Sequence, residues 1–270
     1  VKPPRITKPA DNIIIYYCTD TACGAHNYDD ETCPLNAPVA ENVRGWSAIA
    51  TELFNWDYST NFTYSNIAVP NFYALRRNAE FLYENRTRGV FNNAVTGQLG
   101  EFPELRAFLL TRVYRDPEMS DEQYFKLMDG FLRAFYGDGW KDIRTFIDLI
   151  EKYSDSKHYT FNAPPASMFD MSLVEKDADM IMGLWEDAYA KAKTHEQREH
   201  VERSTVCALF LTQCALYDKM MVNGSDADRE TYRAANDRLY DLLVKYELRW
   251  SENNEGIHFN RDVAPDKWHT

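Results

Sequence analysis

Three short segments bring together residue types able to do acid–base, sugar-binding or ligand chemistry. The first holds Cys18, Cys23, His26, Asp29, Asp30 and Cys33. The second holds Trp56, Asp57, Tyr58, Asn61 and Phe62, and the third Asn92, Asn93, Gln98 and Glu101. Cleaving a glycosidic bond needs two carboxyl groups flanking it, one protonated to release the leaving group and one ionised as nucleophile or base. Asp57, set between two aromatic residues that suit a sugar face, is the first candidate for such a group. Its ordinary alternative is a structural hydrogen bond. Glu101, in GEFPEL at the start of a helical pattern, is the second candidate. An acid there equally serves to offset the helix dipole. Trp56, Tyr58, Asn61, His26, Asn92 and Asn93 are the candidate substrate contacts, with rings to stack on a sugar and polar groups to meet its hydroxyls. The asparagines also suit plain turns.

Cys18, Cys23, His26 and Cys33, spaced C-x4-C-x2-H-x6-C, have the residue types of a Cys3His zinc site. The spacing matches no standard finger. A disulfide between two of the cysteines is an equal rival in a secreted protein, and unligated thiols come third. No metal and no cofactor is assigned on this pattern. Cys207 and Cys214 lie seven apart in a helical pattern and read as core residues.

The elements that must position these segments are legible from periodicity. Ile13 to Cys18 is a short, continuously apolar, β-branched run that suits a strand buried on both faces. ELFNWDY and the stretch beginning at Gly89 are further strand candidates. Helical spacing at Val43, Trp46 and Ile49, and again at Phe72, Leu75, Ala79 and Leu82, separates the three. Strand–helix alternation predicts parallel βαβ units, whose sites form at the C-terminal ends of the strands. From Glu101 onward the pattern is helical. Ser120 with Gln123, Ser172 with Glu175 and Thr194 with Gln197 predict capped helix starts. The Gly137-Asp138-Gly139 and Asn223-Gly224-Ser225 turns predict breaks. The stripes Met180, Leu184, Tyr189 and Val206, Leu209, Phe210, Leu216 read as packing faces.

The formal net charge of −12 argues against a nucleic-acid partner, and no apolar run is long enough for a membrane span. Three parallel strands cannot close a barrel. The expected architecture is therefore α/β followed by all-α: the last βα units of a (β/α)8 TIM-type barrel and then a helical domain, with the earlier barrel strands preceding Val1. The expected domains are 1–116 for the barrel part, 117–255 for the helices and 256–270 for an irregular tail.

The segments CTDTACGAHNYDDETCPLN, RGWSAIATELFNWDYSTNF, RGVFNNAVTGQLGEFPELRAFLLTRVYRDPE and FLRAFYGDGWKDIRTFIDLIE resemble a glycoside-hydrolase-like family catalogued as domain of unknown function 4838. The resemblance runs from about Asn12 to Tyr153, and its specific parts are the WDY-TNF and GEF-ELRA-LL blocks. It implies a barrel akin to those of α-glucuronidases and β-hexosaminidases with a helical extension, and a source among polysaccharide-degrading bacteria. It also implies that one catalytic carboxylate precedes Val1. The family's pattern has Glu or Gln where this chain has Asn92 or Asn93, which argues against a catalytic role for the third loop. The expected function is that of part of a carbohydrate-active enzyme, a glycoside hydrolase acting on polysaccharide or glycan and inactive as this chain alone. The alternatives are a non-catalytic carbohydrate-binding module using the same aromatic loops and a helical interaction scaffold. A secreted or periplasmic location is expected. An acidic pair across one pocket would favour the enzyme. Aromatic residues on an open surface without such a pair would favour binding.

Overall fold

The computed structural model describes residues 1–94, 101–251 and 257–268. Three strands, β1 (Ile14–Cys18), β2 (Glu52–Tyr58) and β3 (Thr87–Asn93), form a parallel sheet in the order β1-β2-β3. Helices α1 (Asn36–Ile49) and α2 (Leu75–Glu84) make the two crossovers. Tyr16 pairs with Phe54 and Cys18 with Trp56. On the other side Trp56 pairs with Phe91, and Asp57 with Asn92.

The expected barrel is not formed. Among the described residues the sheet has three strands, and every element after β3 is a helix. Strand–helix alternation identifies parallel pairing, but no local pattern carries the number of strands, so the count of eight was not readable from these units.

The helices that follow are α3 (Pro103–Arg115), α4 (Asp121–Tyr136), α5 (Trp140–Ser154), α6 (Pro165–Met168), α7 (Met171–Lys191), α8 (His195–Tyr217) and α9 (Asp226–Lys245). Capping boxes at Ser120/Gln123 and Thr194/Gln197 start α4 and α8 as their sequences predict, and a third at Ser225/Asp228 starts α9. Helix α7 starts earlier than its Ser172–Glu175 pattern suggested, because the Asp170 carboxylate accepts from the Ser172 backbone N–H and is itself the cap. Gly137 ends α4 at φ +63, a left-handed conformation that suits glycine.

Helix α7 packs on α5 and α8, and α8 packs on α4 and α9. One core runs from Tyr64 through these helices to Trp268. Along α7 the buried residues are Val174, Ala178, Ile181, Trp185 and Ala188, whereas Met180 and Tyr189 are exposed. The expected stripe is thus out of phase with the one that packs. A smaller core beneath the sheet joins Tyr17, Leu53, Val39, Val43, Phe81 and Leu82. Both crossover helices therefore cover the same face of the sheet, and on the other face Tyr16, Phe54, Trp56 and Phe91 are exposed. No helix among the described residues is long and apolar enough to cross a membrane.

Candidate functional site

Side chains alternate across a strand, and this divides the residues singled out above between two surfaces. Along β2, Leu53, Asn55 and Asp57 are buried on the helix side, while Phe54 and Trp56 are exposed on the open side. Asp57 and Trp56, adjacent in sequence, therefore serve different places.

On the open face, Tyr16 (52% exposed), Phe54 (40%), Trp56 (36%) and Phe91 (52%) form an aromatic surface. The apolar run of β1 is thus buried on one side only. A run without polar residues cannot show which face lacks a cover. Trp56 lies 6.0 Å from Tyr16 and 6.3 Å from Tyr58 in near-parallel arrangements, and Phe91 meets Trp56 edge-on at 5.5 Å. Tyr58 is stacked on Phe161, with Phe62 against both rings. Asn93, paired with Tyr58, ends the row on β3.

On the helix side, Asp57 (6% exposed) is the meeting point of all three strand ends. Thr19 Oγ1, just after β1, donates to its Oδ1 at 2.8 Å, and the Tyr28 hydroxyl donates to the same oxygen. The Tyr114 hydroxyl of α3 and Asn92 Nδ2 of β3 face Oδ2 at 3.3 and 3.5 Å. Burial pushes the Asp57 carboxyl above its ordinary range, against the lowering effect of these hydrogen bonds. Burial and the neighbouring Asp57 charge push the Tyr28 and Tyr114 phenols well up. The cleft beside them is walled by Tyr58, Asn71 and Tyr159 and has a volume of ≈ 40 Å³. That admits a few water molecules but no sugar ring.

Glu101 does not line this cleft. It is 1% exposed and paired with Arg106, and it accepts from the Val69 backbone N–H at 3.2 Å. Arg106 also donates to Asn71. Burial pushes the Glu101 carboxyl up to about 7, with Arg106 opposing the shift. Glu101 is therefore a buried structural partner, and the first acid within the α3 N-terminal turn is Glu104.

Asn61 is also structural. Its Oδ1 accepts from the backbone N–H groups of Thr63 and Tyr64, and its Nδ2 donates to Ala163 O at 2.8 Å. His26 lies with Cys23, Cys33 and His158, four residues whose ligand-type atoms all fall within 4.8 Å of one another. Cys18 is absent from this group. Its thiol faces the Tyr58 hydroxyl at 3.8 Å. Gln98 lies outside the described residues. Thr19, Tyr28, Tyr114, Phe161 and His158 were not singled out from the sequence. Period-two alternation along β2 would have separated Trp56 from Asp57, but no local signal marks the other five.

No curated protein and no solved structure matches the chain. A family model described as "Domain of unknown function (DUF4838)" matches residues 1–148, more than half of the sequence, and the chain belongs to that family.

Proposed function

We propose that the open aromatic face of the sheet binds neutral carbohydrate chains. The supporting observation is the pair Tyr16 and Trp56, near-parallel exposed rings, with the exposed rings of Phe54 and Phe91 on the same face. Exposed apolar patches of this kind mark interaction sites. Aromatic rings offer a saccharide's C–H face a large, rigid contact while tyrosine hydroxyls reach its polar groups. The cleft around Asp57 contains no second carboxylate among the described residues, so the balance favours binding over cleavage. The glycoside-hydrolase reading keeps one observation in its favour: Asp57 is a carboxyl kept protonated more readily by burial, as a general acid must be.

Isothermal titration against a panel of soluble neutral polysaccharides tests the binding reading. Binding by the native chain should weaken at least tenfold in Trp56→Ala with an unchanged melting temperature. No binding across the panel, or equal binding by Trp56→Ala, would overturn it. Release of reducing ends that is lost in Asp57→Asn would establish the hydrolase instead.

A further inference from the structure

The cluster that gathers His26 has the composition and geometry of a metal centre, and it stands apart from the aromatic face and from the carbohydrate reading. Cys23, His26 and Cys33 lie in the β1–α1 connection, and His158 lies in the segment between α5 and α6. Cys23 Sγ is 3.4 Å from His26 Nδ1, and Cys33 Sγ is 3.3 Å from His158 Nδ1. Both cysteines are buried and unbridged. A tetrahedral zinc ion with Zn–S of about 2.3 Å and Zn–N of about 2.0 Å sets its ligands roughly 3.3 to 3.8 Å apart. The two sulfur–nitrogen contacts already have that separation, and the widest spacing of 4.8 Å needs to close by only about 1 Å.

The surroundings are those of a built site. His26 Nε2 sits 3.0 Å from the Asp155 carbonyl oxygen. A proton held there leaves the Nδ1 lone pair directed at the cluster, the arrangement that orients metal-bound histidines. Asn36, fully buried, ties down the loop. It accepts from the Cys23 N–H at 2.7 Å and donates to the carbonyls of His26 and Asn27, both at 2.9 Å. Thiols are weak hydrogen-bond partners, so two thiols converging on two imidazoles are poorly explained by hydrogen bonding alone. Two sulfur and two nitrogen donors in a closed tetrahedral set suit zinc and leave no open position for substrate.

We propose that Cys23, His26, Cys33 and His158 bind one structural Zn²⁺ that clamps the β1–α1 loop to the segment after α5. The clamp has a consequence for the cleft. Gly24 N–H donates to the Tyr159 carbonyl at 2.9 Å, and a Cβ at Gly24 would meet the Tyr159 ring at 2.6 Å. The metal thereby fixes the segment that carries Tyr159, a wall of the Asp57 cleft, and Phe161, the ring stacked on Tyr58.

The test is metal content and Co²⁺ substitution of the whole chain purified under reducing conditions. One equivalent of zinc should be retained after dialysis. Co²⁺ in its place should give the intense visible bands of a tetrahedral site together with thiolate charge-transfer absorption. Cys33→Ser should abolish the charge-transfer signature expected for two thiolates. His158→Asn, at the exposed ligand of the set, should weaken Co²⁺ affinity by more than about 100-fold. Cys18→Ser should leave the spectrum unchanged. Absence of bound zinc with no tetrahedral Co²⁺ spectrum in the native chain, an unaltered spectrum in His158→Asn, or a Cys23–Cys33 disulfide in protein isolated without reductant would each overturn the proposal.

Discussion

Tyr58 and Phe161 stack almost face to face, with ring centroids 4.3 Å apart and planes 9° from parallel, although one ends a strand in the first half of the chain and the other lies beyond α5. Phe62 closes edge-on against both. The backbone follows the same route, because Phe62 N–H donates to the Phe161 carbonyl at 2.9 Å. This contact joins the sheet to the helical part of the molecule. Phe161→Ala should lower stability by about 1 to 2 kcal/mol, from lost burial plus the aromatic pair itself. A Tyr58/Phe161 double-mutant cycle in urea should give a coupling of about 0.5 to 1.5 kcal/mol. A coupling near zero would mean that the rings are neighbours without mutual stabilisation.

Asp57→Asn keeps the side chain's shape but turns one oxygen into an N–H donor facing groups that already donate: Thr19, Tyr28, Tyr114 and Asn92. Leaving one buried donor unsatisfied costs about 1 to 3 kcal/mol, so the melting temperature should fall. If Asp57 instead acts in glycoside cleavage, kcat should drop by a factor of about 100 or more with little change in stability. Measuring both quantities on one variant separates the two roles.

Glu101→Gln should be more damaging. It leaves the Arg106 guanidinium buried without its counter-charge, and breaking a buried pair from one side costs about 3 to 5 kcal/mol. Replacing both residues with apolar side chains should recover much of that loss. Chemical denaturation of the single and double variants checks this. A neutral single variant would show that Glu101 is already uncharged in the native protein.

Glu151 supplies a pH signature. Its carboxylate accepts from the Phe72 and Tyr73 backbone N–H groups, yet burial pushes it up to about 7, with Asp148 adding to the rise and Arg106 opposing it. A carboxyl raised above its unfolded value near 4.5 holds its proton more tightly when folded. Its contribution is therefore fully present below about 4.5 and is lost as pH rises through about 7, on the order of 3 kcal/mol in all. Glu151→Gln keeps an acceptor but removes the titration. Across that window native stability should fall with pH more steeply than that of the variant. Parallel slopes would mean that Glu151 titrates normally.

Much of this architecture follows from local pattern. The alternation in ELFNWDY, the S-x-x-Q and T-x-x-Q caps and the glycine turn at 137–139 each depend on residues within a few positions, and β2, α4, α8 and the α4 boundary form where those patterns lie. Net charge and the absence of long apolar runs likewise need no structure. Tertiary structure decided what depends on distant partners. Whether the strands belong to a closed barrel was one such feature, since each βα unit has the same local pattern whatever its neighbours. The burial of Glu101 was another, because its partner and its cover come from Arg106, Val69 and the helices packed behind them. The metal-type cluster shows the limit most directly. Cys23, His26 and Cys33 were visible as a spacing, but the fourth member is His158, which only the packing of the segment after α5 against the β1–α1 loop brings within reach, while Cys18, nearer in sequence, points to Tyr58. Local sequence sets dihedral preferences and face periodicity over a few residues, whereas a site is a set of distances fixed by how those faces bury one another.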